Sequence, residues 1–129
     1  HEALMKAWLE GGLSDGIAAV VAHTILGDGW ADAPVWQAKW RQLTTPNLIQ
    51  CFTTLGSRDD ISERLGAITV PALVVHGSVD HAIDLDRAQG MADALPHARM
   101  VVVPGGGHAS NLTHPEPVNA ALKVFLDSL

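Results

Sequence analysis

The fold is decided by residues 70–77, VPALVVHG, and by the loop SVD that follows them at 78–80. The run is short, continuously apolar and rich in β-branched side chains, and proline and glycine bound it. A strand buried on both faces of a parallel sheet has this pattern, because neither face meets water. Residues 99–103, RMVVV, show the same pattern and lead into the turn PGGG at 104–107. The sequence therefore predicts two buried parallel strands.

Helical patterns follow each predicted strand. Residues 84–96 predict a helix that begins at a cap, Asp84, and stops at Pro96. Residues 115–129 predict a final helix with one apolar face. The order strand, helix, strand, helix predicts the α/β fold class, with a right-handed parallel crossover between the two strands.

Residues 1–66 predict a region of a different kind, built from helices. Apolar residues recur there at three- and four-residue spacing, Gly11-Gly12 ends the first helix, and Pro46 suits the first turn of a later one. Only residues 17–25 could hide another strand. Two strands are too few for a parallel sheet, so we expect a missing N-terminal half or a second copy of the chain to complete it.

Composition and charge exclude several classes of protein. Eight Lys and Arg against fourteen Asp and Glu give a net charge of −6, which offers no basic surface for nucleic acid. No apolar stretch reaches the roughly 18 residues of a membrane span, and no signal-peptide pattern is present. Because Cys51 is the one cysteine, the chain cannot form an internal disulfide, which is typical of a cytoplasmic protein. Cys51 lies on the apolar side of a predicted helix, and we expect it to be buried there.

Two side chains capable of acid–base chemistry follow the two predicted strands. Asp80 lies in the loop after the first strand, and His108 follows the glycine turn after the second. Because functional groups of open α/β sheets gather at the carboxyl ends of the strands, both loops should emerge at the same edge. A carboxylate there can hold one nitrogen of the imidazole and leave the other free to act as a base.

Several elements together resemble the C-terminal part of the α/β-hydrolase fold. Residues 66–83, GAITVPALVVHGSVDHAI, are similar to its penultimate strand and acid loop. Residues 99–126, RMVVVPGGGHASNLTHPEPVNAALKVFL, resemble its last strand, histidine loop and final helix. On this resemblance residues 67–129 are part of the hydrolase core. Residues 1–66 resemble the helical cap of hydrolases of the esterase, 3-oxoadipate enol-lactonase and haloperoxidase-like kind.

The resemblance implies a function. Asp80 would be the acid and His108 the general base of a Ser-His-Asp triad that acts on an ester, lactone or similar small acyl substrate. No cofactor and no metal is implied. The chain would then be a fragment or subunit of a serine hydrolase.

One serine matches the motif of a hydrolase nucleophile. Residues 12–16, GLSDG, fit G-x-S-x-G, with Ser14 at its centre. A nucleophile elbow needs a strand before it, whereas residues 1–11, HEALMKAWLEG, hold helix-forming residues and no β-branched one. We therefore expect Ser14 to cap a turn between two helices, and the nucleophile to lie on residues that this chain does not contain.

Other interpretations stay open from sequence alone. Asp84 and Asp86 are rival acids, although Asp84 fits better as a helix cap. His76, His81 and His114 could join His108 in a metal cluster, but no compact ligand spacing such as HExxH occurs. A different class of function is a non-catalytic assembly module that keeps the hydrolase architecture and pairs through its open strand edge.

Overall fold

The structure, a computed structural model, describes residues 2–129 and consists of helices followed by a small α/β unit. The helical part contains α1 (Glu2–Gly11), α2 (Asp15–Leu26), α3 (Ala33–Trp40), α4 (Thr45–Gly56) and a 3₁₀ helix (Ser62–Ala67). The α/β part contains β1 (Ala72–Gly77), α5 (Leu85–Ala94), β2 (Ala98–Val103), α6 (Ser110–Thr113) and α7 (Pro115–Leu126). No helix within these residues is long and apolar enough to cross a membrane.

The two predicted strands form a parallel pair, as expected. Burial on both faces is not borne out within this chain, because most residues of the strands are only half-buried and Arg99 and Val102 of β2 are exposed. Their register runs from Ala72 opposite Ala98 to Gly77 opposite Val103, so both strands end at the same edge of the sheet. Within residues 2–129 the sheet has these two strands only, and each keeps an outer edge without a strand partner. The predicted fold class is confirmed.

Packing of α5 against both strands forms the core of the α/β part. Ala88 and Ala92 of α5 are buried against Val74 of β1, with Leu95, Ala98 and Met100 packed around them. The small alanine side chains let the helix approach the sheet closely, while Val103 at the end of β2 is completely buried. This packing fixes the strand ends from which the loops that carry Asp80 and His108 start.

The helical part has its own buried side chains. Trp8 of α1 meets Phe52 of α4 edge to face, with ring centroids 6.1 Å apart. Ala18, Ala22 and Leu26 form the buried face of α2. Residues 17–25 therefore belong to a helix and hide no strand. They are almost all apolar, but one helix face packs inward while Val20 remains 48% exposed.

Two local predictions need correction. Asp84 occupies the residue before α5, but its side chain does not bond to the helix. Cys51 is exposed, so the prediction that it is buried was wrong. The buried stripe of α4 is narrow and centred on Leu48, and Cys51 lies outside it.

Candidate active site

Two loops at the carboxyl ends of the strands are bonded directly to one another. The backbone N–H of Ser78 donates to the carbonyl of Val103, and that of Val79 donates to Gly106. In return, the backbone N–H of Gly105 donates to the hydroxyl of Ser78 at 2.9 Å. The acid loop and the histidine loop are thus held as one unit.

Glycine is required where these loops meet. A Cβ atom on Gly77 would lie 2.1 Å from the carbonyl oxygen of Gly106 and 2.5 Å from that of Gly107. Real Cβ atoms essentially never approach another heavy atom within 3.0 Å. Only a residue without a side chain lets β1 pass so close to the glycine turn.

Asp80 and His108 are brought together at this edge. Nδ1 of His108 lies 2.9 Å from Oδ2 of Asp80. The other carboxylate oxygen of Asp80 accepts the backbone N–H groups of Ala82, at 2.7 Å, and Ile83, at 3.0 Å. The Asp80 side chain is only 4% exposed, whereas that of His108 is 40% exposed. The buried carboxylate is therefore held in place by two backbone N–H groups, while the imidazole is partly exposed to solvent.

Two opposing effects act on the pKa of Asp80. Burial raises it, because a charged carboxylate loses hydration away from water. The backbone N–H of Ile83, the side chain of His108 and the backbone N–H of Ala82 stabilise the charged form, and together they outweigh burial. The pKa of Asp80 is thus lowered, and at neutral pH the group is an anion that accepts hydrogen bonds.

The outer nitrogen of His108 is left available. Because a carboxylate only accepts, the neutral ring carries its hydrogen on Nδ1 and a lone pair on Nε2. Within the described part of the chain, Nε2 forms no hydrogen bond. A proton donor placed against it, such as a serine hydroxyl, could transfer its proton there.

Ser14 is not arranged as that donor. Its oxygen accepts the backbone N–H of Ile17 at 3.3 Å, and the residue precedes α2 in an extended conformation. The segment before it is α1, which is a helix where an elbow would need a strand. The prediction that Ser14 caps a helix-to-helix turn is confirmed.

The helical part reaches the histidine loop through the end of α2. The backbone N–H of Ala109 donates to the carbonyl of Ile25 at 2.8 Å. A Cβ on Gly107 would meet the backbone nitrogen of Gly27 at 3.3 Å. The residue after His108 is therefore bonded to the region that resembles a cap.

An apolar cleft lies beside this contact. It has a volume of about 300 Å³ and includes Trp36, Trp40, Leu26, Ala109 and Leu112 in its lining. A larger cavity of about 410 Å³ opens near Pro71 and Ala98, where the strands begin. Since Asp80 and His108 lie where the strands end, the smaller cleft is the one next to the candidate site.

Two of the other histidines named from sequence, His81 and His114, do not gather around His108. His114 bonds to the hydroxyl of Thr113. His81 stacks on His23, with ring centroids 4.3 Å apart and planes 18° apart, and His23 bonds to Asp28. The structure therefore does not bring these two into the cluster that the sequence left open as an alternative.

His23, Asp28 and His81 are the residues best placed to hold a metal ion, since their ligand atoms lie within 4.8 Å of one another. Each imidazole lone pair lies in the plane of its ring, however. Two nearly parallel stacked rings cannot aim at one ion without rotation.

Of the histidines, His76 is the one that sequence reasoning undervalued. Its Nε2 lies 3.3 Å from Oδ2 of Asp80, and its side chain is only 10% exposed. The signal was its position in β1, four residues before the acid, where a polar residue interrupts an apolar run.

Comparison with known proteins gives the family. The model of the "Alpha/beta hydrolase family" matches residues 3–121. One relative is "Putative carbamate hydrolase RutD" of Pseudomonas syringae pv. syringae, 36% identical over 84 residues, or 65% of this chain and 32% of that protein.

Solved structures with the same fold include a hydrolase from Pseudomonas aeruginosa and an esterase from Exiguobacterium antarcticum. Their TM-scores are 0.82 and 0.81, at 21% and 18% identity. They align with 97% and 98% of this chain, and the matched parts are 48% and 47% of their own length. The chain thus spans about a third of the curated relative and about half of the solved structures. It belongs to the alpha/beta hydrolase family.

Proposed function

We propose that this chain supplies the acid and the base of a Ser-His-Asp triad in a hydrolase of small acyl compounds. The observation that carries the proposal is the 2.9 Å contact between Asp80 and His108, made by a buried carboxylate and a half-exposed imidazole. Membership of the alpha/beta hydrolase family supports it. So does the position of both residues at the carboxyl ends of adjacent parallel strands.

The geometry suits general base catalysis. Nε2 of His108 takes the proton of a serine hydroxyl as the serine oxygen bonds to the carbonyl carbon of the substrate. Asp80 accepts the hydrogen on Nδ1 and stabilises the imidazolium that results. His108 then gives its proton to the leaving group, and the carbon–oxygen bond of the ester breaks. In the second half, His108 takes a proton from water as the water oxygen bonds to the acyl carbon. The bond from that carbon to the serine oxygen then breaks, the acid leaves, and His108 returns the proton to the serine.

The nucleophile in this proposal lies on residues outside this chain. Ser14 bonds to Ile17 and lacks an elbow, and no serine within residues 2–129 is hydrogen-bonded to His108. We infer that the segment carrying the nucleophile also completes the sheet at an open strand edge. The chain's coverage of about half of each solved relative supports this inference.

The substrate class is proposed from the cleft and from the relatives. Trp36 and Trp40 line an apolar cleft that adjoins the histidine loop through Ala109. A cleft of about 300 Å³ suits a small acyl group rather than a long chain. Related proteins named as a carbamate hydrolase and an esterase also fit acyl transfer to water. An ester, lactone or carbamate of modest size is therefore proposed.

The decisive experiment is covalent labelling of the natural gene product that contains this chain. A fluorophosphonate reacts with an activated serine, and digestion followed by mass spectrometry locates the modified peptide. We expect one labelled serine outside residues 1–129, with labelling abolished in His108→Gln. A label on Ser14, or no label on any serine, would contradict the proposal.

Activity gives the second test. With p-nitrophenyl acetate, Asp80→Asn should lower kcat at neutral pH by up to about 10⁴-fold, because His108 loses the partner that fixes its tautomer. The control is His97→Gln, which alters an exposed histidine at the opposite end of the sheet and should leave kcat unchanged. Equal activity of Asp80→Asn and His97→Gln would exclude Asp80 from the triad.

A second candidate function rests on the open sheet. The outer edges of β1 and β2 lack strand partners within residues 2–129, and Val102 is 40% exposed. Such edges pair readily with another chain, as in a non-catalytic assembly module. Sedimentation analysis separates the two functions. A stable complex in a protein that no fluorophosphonate labels would favour the module, whereas a labelled monomer would exclude it.

A further inference from the structure

Two imidazoles lie against the same oxygen of Asp80. Nδ1 of His108 is 2.9 Å from Oδ2, and Nε2 of His76 is 3.3 Å from that atom. His108 comes from the loop after β2, whereas His76 is part of β1 itself. A Ser-His-Asp triad uses only the first of these contacts, so the second histidine needs its own explanation.

Both nitrogens of His76 face acceptors. Nδ1 lies 2.9 Å from the carbonyl oxygen of Gly77, and a carbonyl can only accept, so Nδ1 carries a hydrogen. A neutral ring then leaves Nε2 as a buried acceptor without a donor, 3.3 Å from an oxygen of the charged Asp80. That arrangement is unfavourable in a buried position, where an acceptor facing an anion has no water to separate them.

A second proton on His76 removes this conflict. Nε2 is buried and has no hydrogen-bond partner in its present alignment, so a small rotation of the ring would direct its N–H at Oδ2. Within the described chain, Asp80 is the only carboxylate within 4.0 Å of a His76 nitrogen. The neighbouring His81 stacks on His23 and makes no such contact with Asp80.

We propose that His76 is a positioning residue that holds the Asp80 carboxylate in its doubly protonated form. It donates from Nδ1 to Gly77 and from Nε2 to Asp80, so that Oδ2 is held from two sides while backbone N–H groups hold Oδ1. This inference rests on the proposed function, in which Asp80 orients His108. It deepens that proposal by adding a cation behind the acid.

The cation also affects the base. Positive charge on His76 offsets part of the negative charge on Asp80, which would otherwise stabilise protonated His108. Loss of His76 would therefore leave the carboxylate charge that faces His108 uncompensated.

Nitrogen-15 NMR of the intact protein with labelled histidine tests the proton positions, because imidazole shifts distinguish the doubly protonated ring from either neutral tautomer. The resonances that disappear in His76→Gln are those of His76. The control is His97→Gln, in which the resonances of His97 should disappear and those of His76 should remain. At pH 7 we expect doubly protonated His76 in the wild-type protein and a neutral ring in Asp80→Asn. A neutral ring in the wild type, or a state unchanged by Asp80→Asn, would overturn the proposal and leave His76 a packing residue.

Kinetics supply a readout that packing alone would not move. His76→Gln should move the acidic limb of the pH profile of kcat/KM upward, because it removes the positive charge that offsets Asp80 in this proposal. KM should change less than about twofold, because His76 does not reach the substrate cleft. An unshifted limb would overturn the effect on His108. The NMR result does not need turnover, so it separates failure of this inference from failure of the proposed function.

Discussion

Replacing Gly77 by alanine should destabilise the protein through one contact that can be measured in the structure. The new methyl group would lie 2.1 Å from the carbonyl oxygen of Gly106, against a practical lower limit of 3.0 Å. The glycine turn must therefore retreat by about 0.9 Å, the difference of these two distances. The atom it meets is backbone, so no side-chain rotation can relieve the clash.

The cost follows from what this retreat breaks. Overpacking of a rigid site costs about 1–3 kcal/mol. Loss of the hydrogen bond from Val79 to Gly106, now 3.0 Å, adds roughly 1 kcal/mol. We expect Gly77→Ala to lower the free energy of unfolding by about 2–4 kcal/mol and to lengthen the contact between Asp80 and His108.

Urea unfolding followed by circular dichroism measures the change. The matched control is Gly90→Ala in α5, where an added Cβ meets nothing within 4 Å. It should raise the free energy of unfolding by roughly 0.5–1 kcal/mol, because alanine favours a helix more than glycine does. If Gly77→Ala unfolded at the wild-type midpoint, the close approach of the two loops would not be a constraint, and the reasoning would fail.

Two further predictions concern Asp80 and Ser14. The pKa of Asp80 is lower in the folded protein than in the unfolded chain, so its contribution to stability is complete above the unfolded value near 3.8 and is lost as pH falls through the folded value. Urea midpoints measured from pH 7 to pH 2 should fall more steeply for the wild type than for Asp80→Asn, and parallel curves would contradict this. Ser14→Ala removes the acceptor for Ile17 and should cost about 0.5–1 kcal/mol of stability by thermal unfolding, with fluorophosphonate labelling unchanged. A loss of labelling without unfolding would return Ser14 to the active site.

The two strands and the contact between Asp80 and His108 were predictable because their signals are local. The apolar run before Gly77 is typical of a strand in a parallel sheet, and the polar loops after it must lie at the strand ends. Because the paired strands end at the same edge of the sheet, the loops that follow them place Asp80 and His108 close together. The prediction for Ser14 was correct for a similar reason. The residues just before it favour a helix, and a nucleophile elbow would need a strand there.

The predictions for Cys51 and Asp84 were wrong because tertiary packing and side-chain conformation, rather than the sequence pattern, determine burial and capping at these residues. Cys51 lies among apolar residues, yet it is exposed because only one stripe of α4 packs against α1. Asp84 occupies the residue before α5 but does not bond to the helix, a matter of side-chain torsion that sequence does not encode. The role inferred for His76 depends on the contact between its Nε2 and Oδ2 of Asp80. The sequence pattern of β1 predicts which face of the sheet His76 lies on, but it does not predict that contact.

The hydrogen bond from Ala109 to Ile25 joins the helical part of the chain to the histidine loop. Where a helical region covers an active site, its opening and closing often limit turnover. Here the last turn of α2 is bonded to the residue next to His108. An opening motion of the helices must either break that bond or carry the histidine loop with it. Under the proposed function, such a motion would couple the admission of substrate to the position of His108.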